Sequence, residues 1–119
     1  MASKAEIRQR VGEELGLVPI QQALEAQDQA RIDATFNETY EFLKEKGMAG
    51  WPAAGPVPDK VVPYLALYME FMLLTGYSVP DTRAQRIITA AGPGGQTALV
   101  MIGKMVTQEY DDTEEVHDF

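Results

Sequence analysis

The amino-acid sequence predicts an all-α protein, a compact bundle of four to five helices with an extended acidic C-terminal tail. Apolar residues recur every three or four positions in several segments, the spacing that places them on one face of a helix. Clusters of glycine and proline interrupt those segments, and no stretch shows the apolar/polar alternation of a strand. The chain has 119 residues, 45% of them hydrophobic, which suits one domain with its own core. We therefore expect a helical domain over residues 1–108 and a tail over residues 109–119.

The first helix is predicted near the start of the chain. Ser3 and Glu6 have the spacing of a capping box, in which each side chain satisfies a free main-chain N–H group. Apolar residues then follow at every fourth position: Ile7, Val11 and Leu15. Gly16 can adopt the left-handed conformation that ends a helix, so the helix is expected to stop there.

The second helix is predicted to begin between Gln21 and Asp28 and to run to Lys46. An apolar stripe marks one of its faces: Ile32, Phe36, Tyr40 and Leu43. Lysines in the last turn complement the negative end of the helix dipole, and Gly47 supplies a stop signal.

A loop is predicted over residues 47–58, because its glycines and prolines deny it a regular helix or strand. Trp51 is its single large residue. One interpretation is that Trp51 folds back as a lid over the core. The other is that it inserts into a neighbouring subunit, since tryptophans are enriched among the residues that dominate binding energy at interfaces.

The third helix is predicted from Asp59, a residue type that caps helix N-termini, to about Thr75 and Gly76. Pro63 falls in its first turn, where a missing N–H costs little. The helix is apolar on nearly all sides, so it must be covered by its own domain or by a neighbouring subunit. Its apolar stretch, residues 61–74, is shorter than the roughly 20 residues of a membrane-spanning helix, so no membrane contact is expected.

Two further helices are predicted in the C-terminal half. The fourth starts at Asp81 or Thr82, with four inward residues: Ala84, Ile87, Ile88 and Ala91. The segment Gly92-Pro93-Gly94-Gly95 makes a continuous helix costly, so we expect a break there, either a fixed corner or a hinge. The last helix is predicted from about Gln96 to Gln108. Its inward residues are Leu99, Ile102, Met105 and Val106.

Charge and composition argue against several classes of function. The formal net charge of −8 is unlike that of proteins that bind nucleic acid by neutralising phosphates. The chain has no cysteine, and its one histidine, His117, lies in the tail, so a catalytic triad or a multi-histidine metal site cannot form within one chain. The carboxylates are predicted to lie on polar helix faces or in the tail, where nothing shifts their pKa values. We therefore expect no catalytic, cofactor or metal site and a role that is not enzymatic.

The tail combines acidic groups with an aromatic end. Its candidate residues are Asp111, Asp112, Glu114, Glu115, Val116, His117, Asp118 and Phe119. They are open to three interpretations: a solvated tail, a weak site for a divalent cation, or an anchor in which Phe119 and a free carboxylate bind a partner protein. With Trp51, these residues are the predicted partner-binding set.

Several short segments occur in a defined order along most of the chain. They are Glu14-Leu15-Gly16-Leu17, the helix end at residues 40–48, the proline-rich loop, Val62-Pro63-Tyr64-Leu65-Ala66-Leu67, Tyr77-Ser78-Val79-Pro80 and Ala84-Gln85-Arg86-Ile87-Ile88. In this order they resemble the phage head-completion proteins, which include the tail accessory factors of short-tailed phages and the head–tail connectors of long-tailed phages. The resemblance is one of pattern, and it departs from the family at residues 92–95, where family members tend to continue a helix.

This resemblance implies a structural virion protein, a head-to-tail adaptor that forms a ring, commonly of twelve subunits, at the head–tail junction. Its partners would be the portal protein, a tail (nozzle or tail-completion) protein and further copies of itself. The C-terminal extension, here residues 111–119, would dock on the portal. DNA would pass through the channel without specific binding, which agrees with an acidic wall that repels phosphates. The chain would be synthesised in the host cytoplasm.

Two other classes of function stay open. The chain is alternatively a small acidic helical binding module, such as a regulator, a chaperone or a DNA mimic, that uses its tail to hold a basic partner. It is less simply explained as an enzyme of unknown type, because the sequence offers no recognisable catalytic group. Association with a portal protein, and dependence of any complex on residues 111–119, separate these hypotheses.

Overall fold

The computed structural model describes the main chain of residues 1–117 and the side chains of residues 1–107. The chain forms five α-helices: α1 (Lys4–Leu15), α2 (Ala26–Glu45), α3 (Val62–Leu73), α4 (Asp81–Ala91) and α5 (Gln96–His117). Within the described main chain, β-type pairing is confined to one isolated antiparallel bridge between Ala2 and Val57. The prediction of an all-α bundle is therefore confirmed. In this part of the chain, no helix is both long and apolar enough to cross a membrane.

Helix α1 has the ends that its sequence predicts. The side chain of Ser3 accepts a hydrogen bond of 3.1 Å from the main-chain N–H of Glu6. Gly16 adopts a left-handed conformation with φ of 80°, and its N–H donates to the carbonyl of Glu13. Both caps satisfy main-chain groups that the helix itself leaves without partners.

Helix α2 begins inside the predicted range and ends one residue before the predicted end. Gly47, with φ of 73°, reverses the chain, and the N–H of Met48 donates to the carbonyl of Leu43 at 2.8 Å. This is the hydrogen bonding of a Schellman motif, which requires a residue that tolerates positive φ. The turn brings Met48 back alongside the end of α2.

Helix α3 lies at the centre of the bundle and contacts the other four helices. The buried residues of α3 are Val62, Leu65, Ala66, Met69, Glu70 and Leu73. The cover of this side comes from its own domain. The other sides are less covered, since Met72 is 49% exposed and four further residues are half-buried: Tyr64, Leu67, Tyr68 and Phe71.

The start of α3 differs from the prediction. The helix begins at Val62, and the side chain of Asp59 does not cap it. Asp59 instead forms an ion pair with the N-terminal amine of Met1. Pro63 lies in the first turn as predicted, and a 3-10 turn at Leu74–Gly76 ends the element.

A close-packed corner joins α4 to α5. Gly92, Gly94 and Gly95 all have positive φ, which is accessible to glycine and strained for other residues. A Cβ atom on Gly92 would lie 2.1 Å from Oγ1 of Thr97, and one on Gly95 would lie 3.0 Å from the ring of Tyr68. The predicted break is confirmed, and its packing is that of a corner.

Helix α5 is longer than the sequence suggested. It continues through most of the acidic segment to His117, whereas we predicted an end at Gln108 and a separate tail. No glycine or proline follows Gly103, and glutamate and glutamine are good helix formers, so nothing local stops the helix. The predicted partner residues Asp118 and Phe119 lie outside the described main chain.

Candidate functional site

Trp51 is part of the core of its own subunit. Its side chain is 6% exposed, and its ring centroid lies 6.4 Å from that of Tyr40. The hydroxyl of Tyr40 donates a hydrogen bond of 2.9 Å to the main-chain carbonyl of Trp51. Of the two interpretations of Trp51, the structure matches the lid over the core. Its assignment as a partner-binding residue stays a prediction, and it requires the loop to open.

An apolar groove runs between the end of α2 and the first half of α5. Its floor is formed by Met48, Leu99, Val100 and Gly103, and Lys46 and Lys104 form its rim; we call this surface the α2–α5 groove. It consists of two adjoining depressions of about 610 and 310 Å³. Val100, which lines both depressions, is 54% exposed.

The depth of the α2–α5 groove depends on one glycine. A Cβ atom on Gly103 would lie 3.4 Å from the sulfur of Met48, so a side chain there would occupy the space between the two walls. Glycine costs about 1 kcal/mol relative to alanine inside a helix. At Gly103 this cost is accompanied by a concave apolar surface, which a side chain would partly fill.

The apolar surface continues past the groove. Phe42, which lines one of its depressions, stacks on Tyr68 with ring centroids 6.4 Å apart and an interplanar angle of 10°. Phe42, Tyr68 and the half-exposed Met72 line a further depression between α2 and α3, together with three polar residues: Thr35, Glu38 and Thr39. Exposed apolar surface that is bordered by polar residues is typical of contact sites.

A second site lies on the other side of α3, where a buried carboxyl group faces α1. Glu70 is 2% exposed and shares a hydrogen bond with Glu14. Burial is the main reason that the pKa of Glu70 is raised to about 10, and the hydrogen bond and charge of Glu14 raise it further. Arg10 and Arg83 oppose the shift. Glu70 therefore carries a proton at neutral pH.

Arginine side chains surround this carboxyl pair. Nη1 of Arg83 donates hydrogen bonds to the main-chain carbonyls of Glu13 and Glu14, at 3.2 and 2.8 Å. Nε of Arg10 lies 2.5 Å from the Glu14 carboxylate. The guanidinium of Arg83 thus joins α4 to the last turn of α1, where a positive charge also complements the helix dipole.

The pair borders a cleft of about 320 Å³ between α1, α3 and α4, which is lined by Glu14, Glu70, Arg83, Arg86 and Ile87. The oxygen Oε2 of Glu70 is buried and accepts no hydrogen bond from the described residues. A neutral acid next to a carboxylate is an arrangement that can donate a proton. It also serves as a structural hydrogen bond between α1 and α3, with the arginines balancing the charge.

The prediction that all carboxylates lie on polar faces or in the tail is wrong for Glu70. The sequence carried a signal, since Glu70 is the single charged residue within the apolar stretch from residue 61 to residue 74. An acidic residue in a helix that must be covered on most sides is buried by that cover. Its partner, Glu14, comes from a distant part of the chain and could not be identified from spacing.

Most of the predicted tail residues occupy the C-terminal end of α5. The main chain is helical at residues 111–117, and the side chains there lie outside the described part of the structure. Among the side chains that are described, no group of three or more histidine, cysteine, aspartate or glutamate residues is arranged to hold a metal ion.

No family model, curated protein or solved structure matches this chain. The described side chains form two candidate surfaces, the α2–α5 groove and the cleft beside Glu70. The first is apolar and open, and the second is lined mainly by charged side chains, of which Glu14 and Glu70 already share a hydrogen bond. The first is the better candidate for a protein contact surface, because it exposes apolar side chains.

Proposed function

We propose that this protein is a structural component of a phage virion, a head-to-tail adaptor that forms a ring between the portal and the tail and continues the DNA channel. The observation that carries the proposal is the continuous apolar surface that extends from Met72 across Phe42 to Val100. A subunit that works alone gains nothing from exposing such a surface. A subunit that assembles buries it against a neighbour.

The resemblance of the sequence to head-completion proteins is the reason for proposing this particular assembly. It covers most of the chain, and the helical architecture agrees with it. The net charge of −8 suits a channel wall, because like charges repel DNA phosphates and let the duplex slide without specific binding. The ring would have about twelve subunits, the number common in the resembled family, and would lie at the head–tail junction of the virion.

The roles of individual parts follow from their positions. The helical C-terminal end, residues 111–117, is a projection through which the subunit would engage the portal, and the opposite side of the ring would receive the tail protein. Glu14, Glu70 and Arg83 fasten α1, α3 and α4 together and have a structural task. The protein acts without catalysis, cofactor or membrane contact in this proposal.

Binding to a portal ring tests the proposal directly. The portal protein encoded by the same genome is mixed with the purified chain, and the product is measured by sedimentation velocity and electron cryomicroscopy. We expect a ring of adaptor subunits on one face of the portal. Heads made without the protein should lose DNA and fail to join tails.

A pair of variants links this result to the apolar surface. Val100→Lys places a charge in the α2–α5 groove and should reduce ring formation at least tenfold. Ile88→Lys makes the same kind of change at another partly exposed residue, on α4, and serves as its control. A wild-type chain that ignores portal rings, together with normal DNA retention and tail joining in its absence, would overturn the proposal.

The acidic projection also favours a second candidate, a small binding module that holds a basic partner. Residues 109–118 contain six acidic groups and no lysine or arginine. A stable complex with a basic protein, lost when residues 111–119 are deleted, would support this function. The portal experiment would then give no ring.

A further inference from the structure

The rim of the α2–α5 groove is positively charged. Lys46 and Lys104 are exposed at its two edges, and no acidic residue lines it within the described side chains. The ammonium group of Lys46 lies 5.6 Å from the ring centroid of Phe42. The groove therefore combines an apolar floor with a basic rim, although the protein as a whole is strongly acidic.

The C-terminal segment has the complementary composition. Its six acidic residues are Glu109, Asp111, Asp112, Glu114, Glu115 and Asp118, and it contains three apolar or aromatic residues, Tyr110, Val116 and Phe119. An acidic segment with a few apolar residues is what a basic-rimmed apolar groove attracts. No stretch of eleven residues outside this segment carries more than three acidic groups.

The segment of one subunit does not reach the groove of the same subunit. Helix α5 is continuous from Gln96 to His117, and the groove lies beside its first half. At 1.5 Å per residue, the helix rises roughly 20 Å between Lys104 and His117. The acidic end therefore leads away from its own groove, and a second copy of the chain has to supply the occupant.

We propose that the α2–α5 groove binds the acidic C-terminal helix end of a neighbouring copy of this chain. The contact is heterologous, because it joins two different surfaces of identical subunits. Each subunit offers one groove and one helix end, so contacts of this kind continue from subunit to subunit. They close into a ring when the rotation between neighbouring subunits brings the last subunit back to the first. The inference rests on the proposed ring function and names the contact that would build the ring; it assigns residues 111–117 to the neighbouring subunit in place of the portal.

Charge reversal provides the first test. One variant carries Lys46→Glu and Lys104→Glu, and the other carries Glu114→Lys and Glu115→Lys. Self-association is measured by sedimentation velocity up to several hundred micromolar, and on portal rings by subunit count. Each variant alone should associate roughly tenfold or more weakly than wild type. The first variant places like charges against the acidic segment. The second reduces the net charge of that segment from −6 to −2 and places lysines opposite the lysines of the groove.

An equal mixture of the two variants should recover association. In the mixture, the lysines introduced at positions 114 and 115 of one chain meet the glutamates introduced at positions 46 and 104 of the other. The two unchanged surfaces accept each other, so an alternating ring satisfies every contact. A chain with Glu25→Lys and Glu41→Lys has the same net charge as the second variant and should behave as wild type. Variants that associate as well as wild type, or a mixture that fails to recover, would overturn the inference.

Engineered cysteines supply a second test that does not depend on charge. The natural chain has no cysteine, so a disulfide between introduced residues has one origin. Chains with Val100→Cys and chains with Val116→Cys are mixed in solution and on portal rings under mild oxidation. We expect a mixed disulfide dimer, which should be absent when Ile88→Cys replaces Val100→Cys.

The outcomes separate this inference from the proposed function. A portal-bound ring without the disulfide and without sensitivity to charge reversal would leave the function standing and overturn the contact. The disulfide formed in solution by a chain that never binds a portal would overturn the function and leave the contact standing. Absence of both disulfide and association in every condition would overturn the inference.

Discussion

The hydroxyl of Tyr40 on α2 donates a hydrogen bond of 2.9 Å to the main-chain carbonyl of Trp51, and their rings meet at a tilt of 58°. Tyr40 thereby contacts a loop that is rich in glycine, alanine and proline. The loop has no helix of its own. It is held in place by this bond, by the burial of the indole and, at its far end, by the buried Val57, which pairs with Ala2 through two main-chain hydrogen bonds.

Tyr40→Phe should lower the free energy of unfolding by about 1 kcal/mol, because a buried carbonyl loses its hydrogen bond while the ring stays in place. Urea unfolding followed by the fluorescence of Trp51, the single tryptophan, measures this change. Tyr64→Phe removes a hydroxyl from a partly exposed tyrosine of α3 and is the control, with little change expected. Equal losses in the two variants would contradict the role of the bond.

Glu70→Gln should stabilise the protein, and by more as the pH rises. Below the ordinary pKa of 4.5, both the folded and the unfolded chain carry a proton on Glu70. Between 4.5 and the folded-state pKa of about 10, only the folded chain keeps it, so unfolding releases a proton and stability falls as pH rises. Glutamine can donate the same kind of hydrogen bond to Glu14 without titrating.

Urea unfolding at pH 5 and pH 8 measures this effect as a difference between variant and wild type. One proton corresponds to about 1.4 kcal/mol per pH unit, so the advantage of the variant should grow by about 2–4 kcal/mol over this interval. Glu25→Gln, at an exposed position, should give a difference that does not change with pH. A constant advantage for Glu70→Gln would show that Glu70 ionises in the folded protein.

Arg83→Ala should lower the free energy of unfolding by about 1–2 kcal/mol, because two carbonyls at the end of α1 lose a charged donor. Arg86→Ala is a matched control in the same cleft, since Arg86 is exposed and should contribute little. Thermal unfolding of both variants gives the comparison. Similar losses would mean that the cleft needs positive charge and not the specific bonds of Arg83.

The glycines of the corner before α5 should differ in their tolerance of alanine. Gly94→Ala adds a Cβ atom with nothing within 4 Å, so the cost is the strain of positive φ, about 1 kcal/mol. Gly92→Ala adds the same strain and a contact of 2.1 Å with Thr97, so the loss should be several times larger. Chemical denaturation of the two variants tests this order. A larger loss for Gly94→Ala would mean that the corner repacks around Gly92.

Much of the fold could be predicted from local sequence. Ser3, Gly16 and Gly47 act through residues within five positions of themselves, so their effects can be read from short patterns. The break at residues 92–95 is predictable for the same reason. The end of α5 differs from the prediction because acidic composition predicts a tail, whereas helix propensity and the lack of a breaker favour continuation of the helix.

The candidate sites required information that the local sequence does not contain. The α2–α5 groove exists because Met48 is turned back by Gly47 and meets α5 at Gly103, and the pairing of those two segments is a result of tertiary packing. Glu70 was visible as an acid in an apolar helix. Its partner Glu14 belongs to another helix, and the burial that retains the proton on Glu70 depends on how α1 and α4 cover α3.

The length of α5 also determines how the subunit responds to a force on its C-terminal end. The first half of α5 is packed against α3, and its second half extends beyond the groove. A force on the second half would therefore tilt the packed first half. A sideways displacement of a few ångströms at His117 would move the buried Ile102 by a smaller but still appreciable distance. A close-packed interior resists such a shift. Strain applied at the C-terminal end of α5 would therefore be transmitted to α3 and shared by the helices that pack against it.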